Sequence, residues 1–376
     1  MIKRKAATPE KGSKDESKEG PGHKIELLES HESMDDQFFK LSIEDFVASR
    51  ELQNEVLGNS SEDLNYPLYL RLSELKYVKI ANRGVDLPLE RLRGYNKKGT
   101  QHLYLRKEDF HRYMGLNLDL SRATQKSSTV SREKKLGLLK HTNEIVLGNL
   151  YANEVDAKMF ESARAAVEAA TTALSDFDEA YNLLDILNKH TDYLFARSVA
   201  VSFYSAMIAK QLNWNSPATL FKIAVAGLLH DIGKKEIDRA ILYKPRMHLT
   251  PAEIKMIESH PVRSAEILSK IPTIPGEVIQ IVLQHHENCL GAGYPVGLKK
   301  NQIHPVARLL SVADHFSCFV LRGPEGPGIP PAQAFEKILS MYLDALDPTF
   351  LLPLMTIFHY SVPKEYLVFE KKWKVA

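Results

Sequence analysis

The chain has little cysteine. Two residues in 376, Cys289 and Cys318, build neither a disulfide framework nor a thiolate zinc site, and they fit a reducing compartment. It also lacks an excess of charge of either sign. Lys and Arg number 49 against 47 Asp and Glu, a formal net charge of +2. Global charge therefore gives no reason to expect nucleic acid or a membrane as partner. No apolar run approaches the length needed to span a bilayer. No apolar h-region follows Met1-Ile2-Lys3-Arg4-Lys5, so no signal peptide is expected and the protein reads as cytoplasmic. What is present is 44% hydrophobic and 26% charged residues, ordinary for a protein with a real core. At this length two domains plus an extension are expected.

Residues 1–36 are rich in Lys, Glu, Ser, Gly and Pro. They cannot bury enough apolar area to offset ordering entropy, and a disordered tail is expected. Residues 37–120 mix signals. Stretches 68–72, 77–80 and 102–105 are rich in strand formers, while 87–95 and 107–114 have helical spacing. They predict a small α/β or α+β accessory domain without a cluster of ligands or nucleophiles. Its place ahead of the later motifs suggests sensing or binding of a signalling partner. Residues 121–182 read as a Ser/Thr-rich linker and a helical connector. That connector is either a signalling or homodimer seam, or the first packing layer of the C-terminal domain.

From residue 183 to about 370 nearly every segment predicts helix. Ser216-Pro217 is an N-cap followed by a first-turn proline, and Thr250-Pro251-Ala252-Glu253 is a capping box opening the helix that carries His260. Six polar side chains end or interrupt these apolar helices: His230, Asp231, His260, His285, His286 and Asp314. Neutral imidazole suits iron, manganese and zinc, and a carboxylate can bridge two such ions. Two ions about 3.5–4 Å apart activate water and stabilise a leaving oxygen in phosphoester hydrolysis. One His on an apolar face is most often a satisfied core residue. A tandem pair, a His-Asp dipeptide and two further members together argue for metal. His102, His111, His141, His304 and His359 have no such company and read as structural or surface residues.

The ordered set His230-Asp231-Ile232-Gly233-Lys234, His260-Pro261, His285-His286-Glu287, Gly291-Ala292-Gly293-Tyr294-Pro295 and Val312-Ala313-Asp314 resembles the HD-GYP family in order and gaps. The resemblance covers roughly residues 185–365. It implies a C-terminal all-α HD-domain helical bundle. It also implies a metal-dependent phosphodiesterase that opens cyclic di-GMP to linear pGpG or GMP in bacterial signalling, using iron or manganese. Carried over by residue, Asp231 bridges two ions, His260, His285 and His286 complete one site, and His230 and Asp314 serve the other. Lys234 holds a phosphate oxygen, and Gly293, Tyr294 and Pro295 lie near substrate.

Several positions depart from that pattern. Arg197 stands where family members usually carry a ligating His, and arginine cannot ligate a metal. Tyr193 stands where trimetal members carry Glu. Leu290 and Ser317 replace two usual Asp residues, and Arg322 lies near the position of a substrate-contacting Arg. One or two ions per chain are expected. The residues leave two readings open: a phosphodiesterase with an altered dimetal site, or a non-catalytic protein that senses cyclic di-GMP or binds a partner. A nucleotide phosphohydrolase of another HD type is disfavoured by the Gly-Tyr-Pro loop. The discriminator is whether the Arg197 guanidinium fills the first metal position and contacts Asp314.

Overall fold

The computed structural model describes residues 26–57, 64–85, 87–125, 127–153, 155–173, 178–188 and 192–362. Its N-terminal part holds strands β1 (Glu26–Glu29), β2 (Phe38–Ser42), β3 (Leu68–Ser73), β4 (Lys76–Ala81) and β5 (His102–Arg106). Helices α1 (Ile43–Leu57), α2 (Leu89–Lys97) and α3 (Lys107–Gln125) accompany them. The sheet is antiparallel in the order β1-β4-β3-β5-β2. Successive side chains of a strand point to opposite faces. Phe38 therefore stacks on Tyr77 with centroids 4.0 Å apart, while Phe39 stacks on Phe110 of α3 at 3.7 Å and joins the main core. This is the α+β form of the expected accessory domain.

Helices α4 (Arg132–Ala152), α5 (Ala157–Ala173) and α6 (Asp178–Leu187) follow. Helices α4 and α5 pack on α7 (Tyr193–Gln211) and α8 (Pro217–Leu229) and also on α3 of the N-terminal part. Helix α7 also packs tightly on α8, and Gly227 permits it. A Cβ there would stand 2.7 Å from the Ser202 Cα, inside backbone contact. The bundle continues through α9 (Arg239–Leu242), α10 (Pro251–Glu258), α11 (His260–Ser269), α12 (Gly276–Gln284), α13 (Pro305–Val320), α14 (Pro331–Tyr342) and α15 (Pro348–Ile357). The N-cap at Ser216 and the capping box at Thr250 are both present.

Three local expectations change. Glu26–Glu29 is a strand inside the stretch read as a tail, because it pairs with Lys76–Lys79 some fifty residues on. Helix α3 runs through residues 121–125, which read as linker. The capping box opens α10, but His260 starts a separate helix after a break at Ser259. Helix α15, capped by Asp347, lies within the stretch expected to be helical. Among the described residues no helix is long and apolar enough to cross a membrane.

Candidate metal centre

Helix α8 delivers His230 at its C-cap, and Asp231 follows into a tight turn over Ile232–Glu236. That turn lies against the start of α11, and only glycine fits at the contact. A Cβ on Gly233 would stand 2.4 Å from the His260 carbonyl oxygen and 2.6 Å from the Ser264 nitrogen. Ser264 Oγ accepts from the Gly233 N–H at 2.8 Å and donates to the His230 carbonyl at 2.9 Å. His260 is thereby held beside Asp231. His285 and His286 follow the last turn of α12, and Asp314 projects from α13.

The rings are set up as lone-pair donors. Nδ1 of His260 lies 2.6 Å from the Ile257 carbonyl, Nδ1 of His285 2.6 Å from that of Val282, and Nδ1 of His230 2.7 Å from that of Gly227. A carbonyl only accepts, so each Nδ1 carries the proton, and in the neutral rings of His260 and His285 Nε2 is left as an acceptor. Burial holds His260 below the ordinary imidazole range and holds His285 and His286 well below it, which keeps them neutral. Nε2 of His260 and Nε2 of His285 then face each other at 3.2 Å. Asp231 Oδ1, buried and without a hydrogen bond, lies 3.0 Å from His260 Nε2 and 4.0 Å from His285 Nε2. Acceptors converging without a donor between them repel one another. A divalent cation removes the conflict, and a set of imidazoles with one carboxylate suits ions such as Fe, Mn and Zn. One ligand atom from each of Asp231, His260, His285 and His286 lies within 4.8 Å of the others.

The other half of the expected dimetal site is built differently. Arg197 reaches from α7 with its side chain 11% exposed. Its Nε donates to Asp314 Oδ1 at 2.6 Å and its Nη2 to Asp314 Oδ2 at 2.7 Å, a bidentate pair. Its Nη1 donates to the Tyr193 hydroxyl at 2.9 Å, and its Nε lies 3.8 Å from Asp231 Oδ2. Lys234 Nζ donates to that same Oδ2 at 2.6 Å. Burial disfavours charge on Asp314, yet Arg197 holds its carboxyl well below the usual range, and His230 and Lys234 do the same for Asp231. Burial also pulls His230 down, but Asp231 and Asp314 raise it to about 9. The two carboxylates are thus neutralised from this side by side chains. Asp231 keeps one oxygen for the histidine cluster rather than one for each of two ions. Asp314 and His230 stand outside the convergent set, since Asp314 spends both oxygens on Arg197. Lys234, expected on a phosphate oxygen, is held by Asp231.

The Gly-Tyr-Pro segment does reach the cluster. Tyr294 stacks on His286 with centroids 4.7 Å apart, and its N–H donates to the His286 carbonyl at 3.2 Å. Gly293 has no room for a Cβ, which would stand 2.5 Å from that same carbonyl oxygen. Glu287, to which the sequence alone gave no role, fixes the far side of the segment. Its buried carboxylate accepts from the N–H groups of Val296 at 2.7 Å, Gly297 at 3.0 Å and Leu298 at 2.7 Å. Tyr151 was also missed. Its hydroxyl donates to the Asp231 carbonyl at 2.9 Å from α4, far away in sequence. Ser317 turns its hydroxyl back to the Ala313 carbonyl, Leu290 is exposed, and Arg322 is exposed with its backbone N–H on Asn188. A second group, Asp45, His141 and Glu144, also lies within 4.8 Å, but Lys140 already pairs with both carboxylates at 3.1 and 3.5 Å.

Known proteins resemble the C-terminal part of the chain in sequence and the whole in fold. Residues 182–350 match the family model described as HD domain. A cyclic di-GMP phosphodiesterase of Pseudomonas aeruginosa is 31% identical over 191 residues, covering 48% of this chain and 46% of the relative. A cyclic di-GMP phosphodiesterase of Thermotoga maritima is 32% identical over 195 residues, covering 51% and 52%. A 3'3'-cGAMP-specific phosphodiesterase of Vibrio cholerae is 31% identical over 163 residues, covering 43% and 35%. The chain thus spans about half the length, or less, of these curated relatives. Among solved structures, an HDG"Y"P protein of Bdellovibrio bacteriovorus shares the fold, with a TM-score of 0.64 at 17% identity over 86% of this chain and 99% of that one. The C-terminal part of the chain thus matches the HD domain model and shares its fold with that HDG"Y"P protein.

Proposed function

We propose that this domain is a metal-dependent phosphodiesterase acting on cyclic di-GMP, with a single divalent ion, iron or manganese, held by Asp231, His260, His285 and His286. The observation that carries the reading is the convergence of His260 Nε2, His285 Nε2 and Asp231 Oδ1 without a donor among them. An ion there supplies Lewis-acid polarisation of a phosphoryl oxygen. Arg197 and Lys234 supply fixed positive charge on the opposite side of Asp231, where a phosphodiester anion is stabilised. Tyr294 and the segment fixed by Glu287 bound the site beside His286. The linear products pGpG and GMP follow from the substrate class of the relatives. The N-terminal domain is the expected place for a signalling partner.

A second reading has its own support. Asp314 is consumed by Arg197, Lys234 by Asp231, and the side chains of His230, Asp231, His260, His285 and Asp314 are almost wholly buried. Such a centre suits a protein that binds cyclic di-GMP without turning it over. The test is incubation of anaerobically purified, metal-loaded protein with cyclic di-GMP, followed by anion-exchange separation of products. Linear dinucleotide from the wild type and none from His260→Ala supports hydrolysis. Binding of cyclic di-GMP without product sinks it in favour of the second reading.

A further inference from the structure

A cavity of about 740 Å³ lies between the N-terminal sheet, α4 and the HD domain, lined by Lys234 and Tyr151 but by none of Asp231, His260, His285 and His286. Its size is that of a small-molecule site. Phe39 and Phe110 line one wall, and Tyr151 and Phe195 line another with rings edge-on at 5.4 Å. The acidic groups on its surface are already committed. Asp35 pairs with Arg71, Asp192 with Arg239, and Asp45 and Glu144 with Lys140. Lys40, exposed at the edge strand β2, and Lys107, the first residue of α3, also line it and make no ion pair among the described residues. The cavity therefore offers flat apolar faces together with uncompensated positive charge.

One residue suggests that the space is kept open. Gly148 lies inside the 21-residue α4 and faces the cavity. Glycine is among the least favourable residues in a helix interior. Packing does not demand it, because a Cβ there would meet only the Phe195 ring, at an ordinary 3.9 Å. What its missing side chain leaves is room. One turn on, Tyr151 bonds the Asp231 carbonyl, and Lys235 bonds the Leu150 carbonyl at 2.7 Å. The helix that floors the cavity is thus tied at two points to the turn carrying His230 and Asp231.

We propose that this cavity is an effector site for a small aromatic phosphate of the nucleoside monophosphate class, and that α4 passes its occupancy to the His230–Asp231 turn. The ring lies against the aromatic walls and the phosphate is held by Lys40 and Lys107. This claim is independent of whether the HD domain turns over substrate.

The test is calorimetric titration of the full chain, stripped of divalent ions, with AMP and GMP, and in parallel with adenosine and inorganic phosphate. One nucleotide is expected per chain, with adenosine and phosphate each weaker by about tenfold or more. Gly148→Leu fills the cavity with a residue that suits a helix. It should keep its circular dichroism and melting temperature yet lose nucleotide binding by at least about tenfold. Lys107→Ala should weaken the nucleotide and leave adenosine unchanged. Absence of binding at millimolar nucleotide, or undiminished binding in a folded Gly148→Leu, overturns the site. Hydrogen exchange over residues 229–236 reads the coupling. Nucleotide should slow it in the wild type but not in Tyr151→Phe, which should still bind. Exchange unaffected by bound nucleotide overturns the coupling.

Discussion

Removing either partner of the Arg197–Asp314 pair should be far more damaging than removing both. The pair is bidentate at 2.6 and 2.7 Å, and its side chains are 11% and 2% exposed. Arg197→Met leaves a buried carboxylate with only His230 Nε2 near it, at 3.5 Å. Asp314→Leu leaves a buried guanidinium with the Tyr193 hydroxyl and, at 3.8 Å, Asp231 Oδ2. Breaking a buried pair in this way costs about 3–5 kcal/mol, whereas replacing both members by apolar groups is often neutral. At roughly 2–4 °C per kcal/mol, each single variant should melt on the order of 10 °C lower. The double variant should recover most of that loss, giving a large coupling energy in a double-mutant cycle. The assay is thermal and urea unfolding in the presence of chelator, so that metal binding does not mask the effect. Single variants that cost under about 1 kcal/mol, as exposed pairs do, would refute the claim that this pair replaces a cation in the core.

Two further outcomes rest on the same geometry. Glu287→Gln loses the charge that holds three backbone N–H groups of the segment after Tyr294. At about 1.5–3 kcal/mol per hydrogen bond to a charged group, hydrogen exchange at Val296, Gly297 and Leu298 should accelerate at least tenfold, while α8 stays protected. Burial pushes His141 from its ordinary 6.5 to about 4, so the folded chain refuses a proton that the unfolded chain accepts. At pH 7 both states are neutral and nothing is lost. Between 6.5 and about 4 stability falls with pH, by up to about 3 kcal/mol at 1.36 kcal/mol per pH unit. His141→Phe should flatten this acid slope in urea titrations; an unchanged slope would show that the ring is not buried neutral.

Much of the C-terminal architecture was legible because its signals are local. Ser216-Pro217 and Thr250 through Glu253 announce helix starts within four residues, and the structure caps both helices that way. The polar residues that interrupt apolar helices marked the cluster, and Arg197 stood out only through the family resemblance, at the place of a usual His. What escaped depends on distant partners. Glu26–Glu29 becomes a strand only because Lys76–Lys79 offers it an edge. Tyr151 meets the Asp231 carbonyl across 80 residues, and no local pattern marks such a bond. Glu287 sat beside the tandem histidines, and a carboxylate followed by a glycine-rich segment with free N–H groups was the available hint. The bond from Lys234 to Asp231 at 2.6 Å joins residues three apart, a spacing already visible in the sequence.

The most direct measurement is metal content per chain, by inductively coupled plasma mass spectrometry on anaerobically purified protein from iron- and manganese-supplemented cells. One ion per chain is predicted for the wild type, none for His285→Ala, and an approach to two for Arg197→His, which frees Asp314 and adds an imidazole. Two ions per chain in the wild type, or one that survives His285→Ala, would contradict the account.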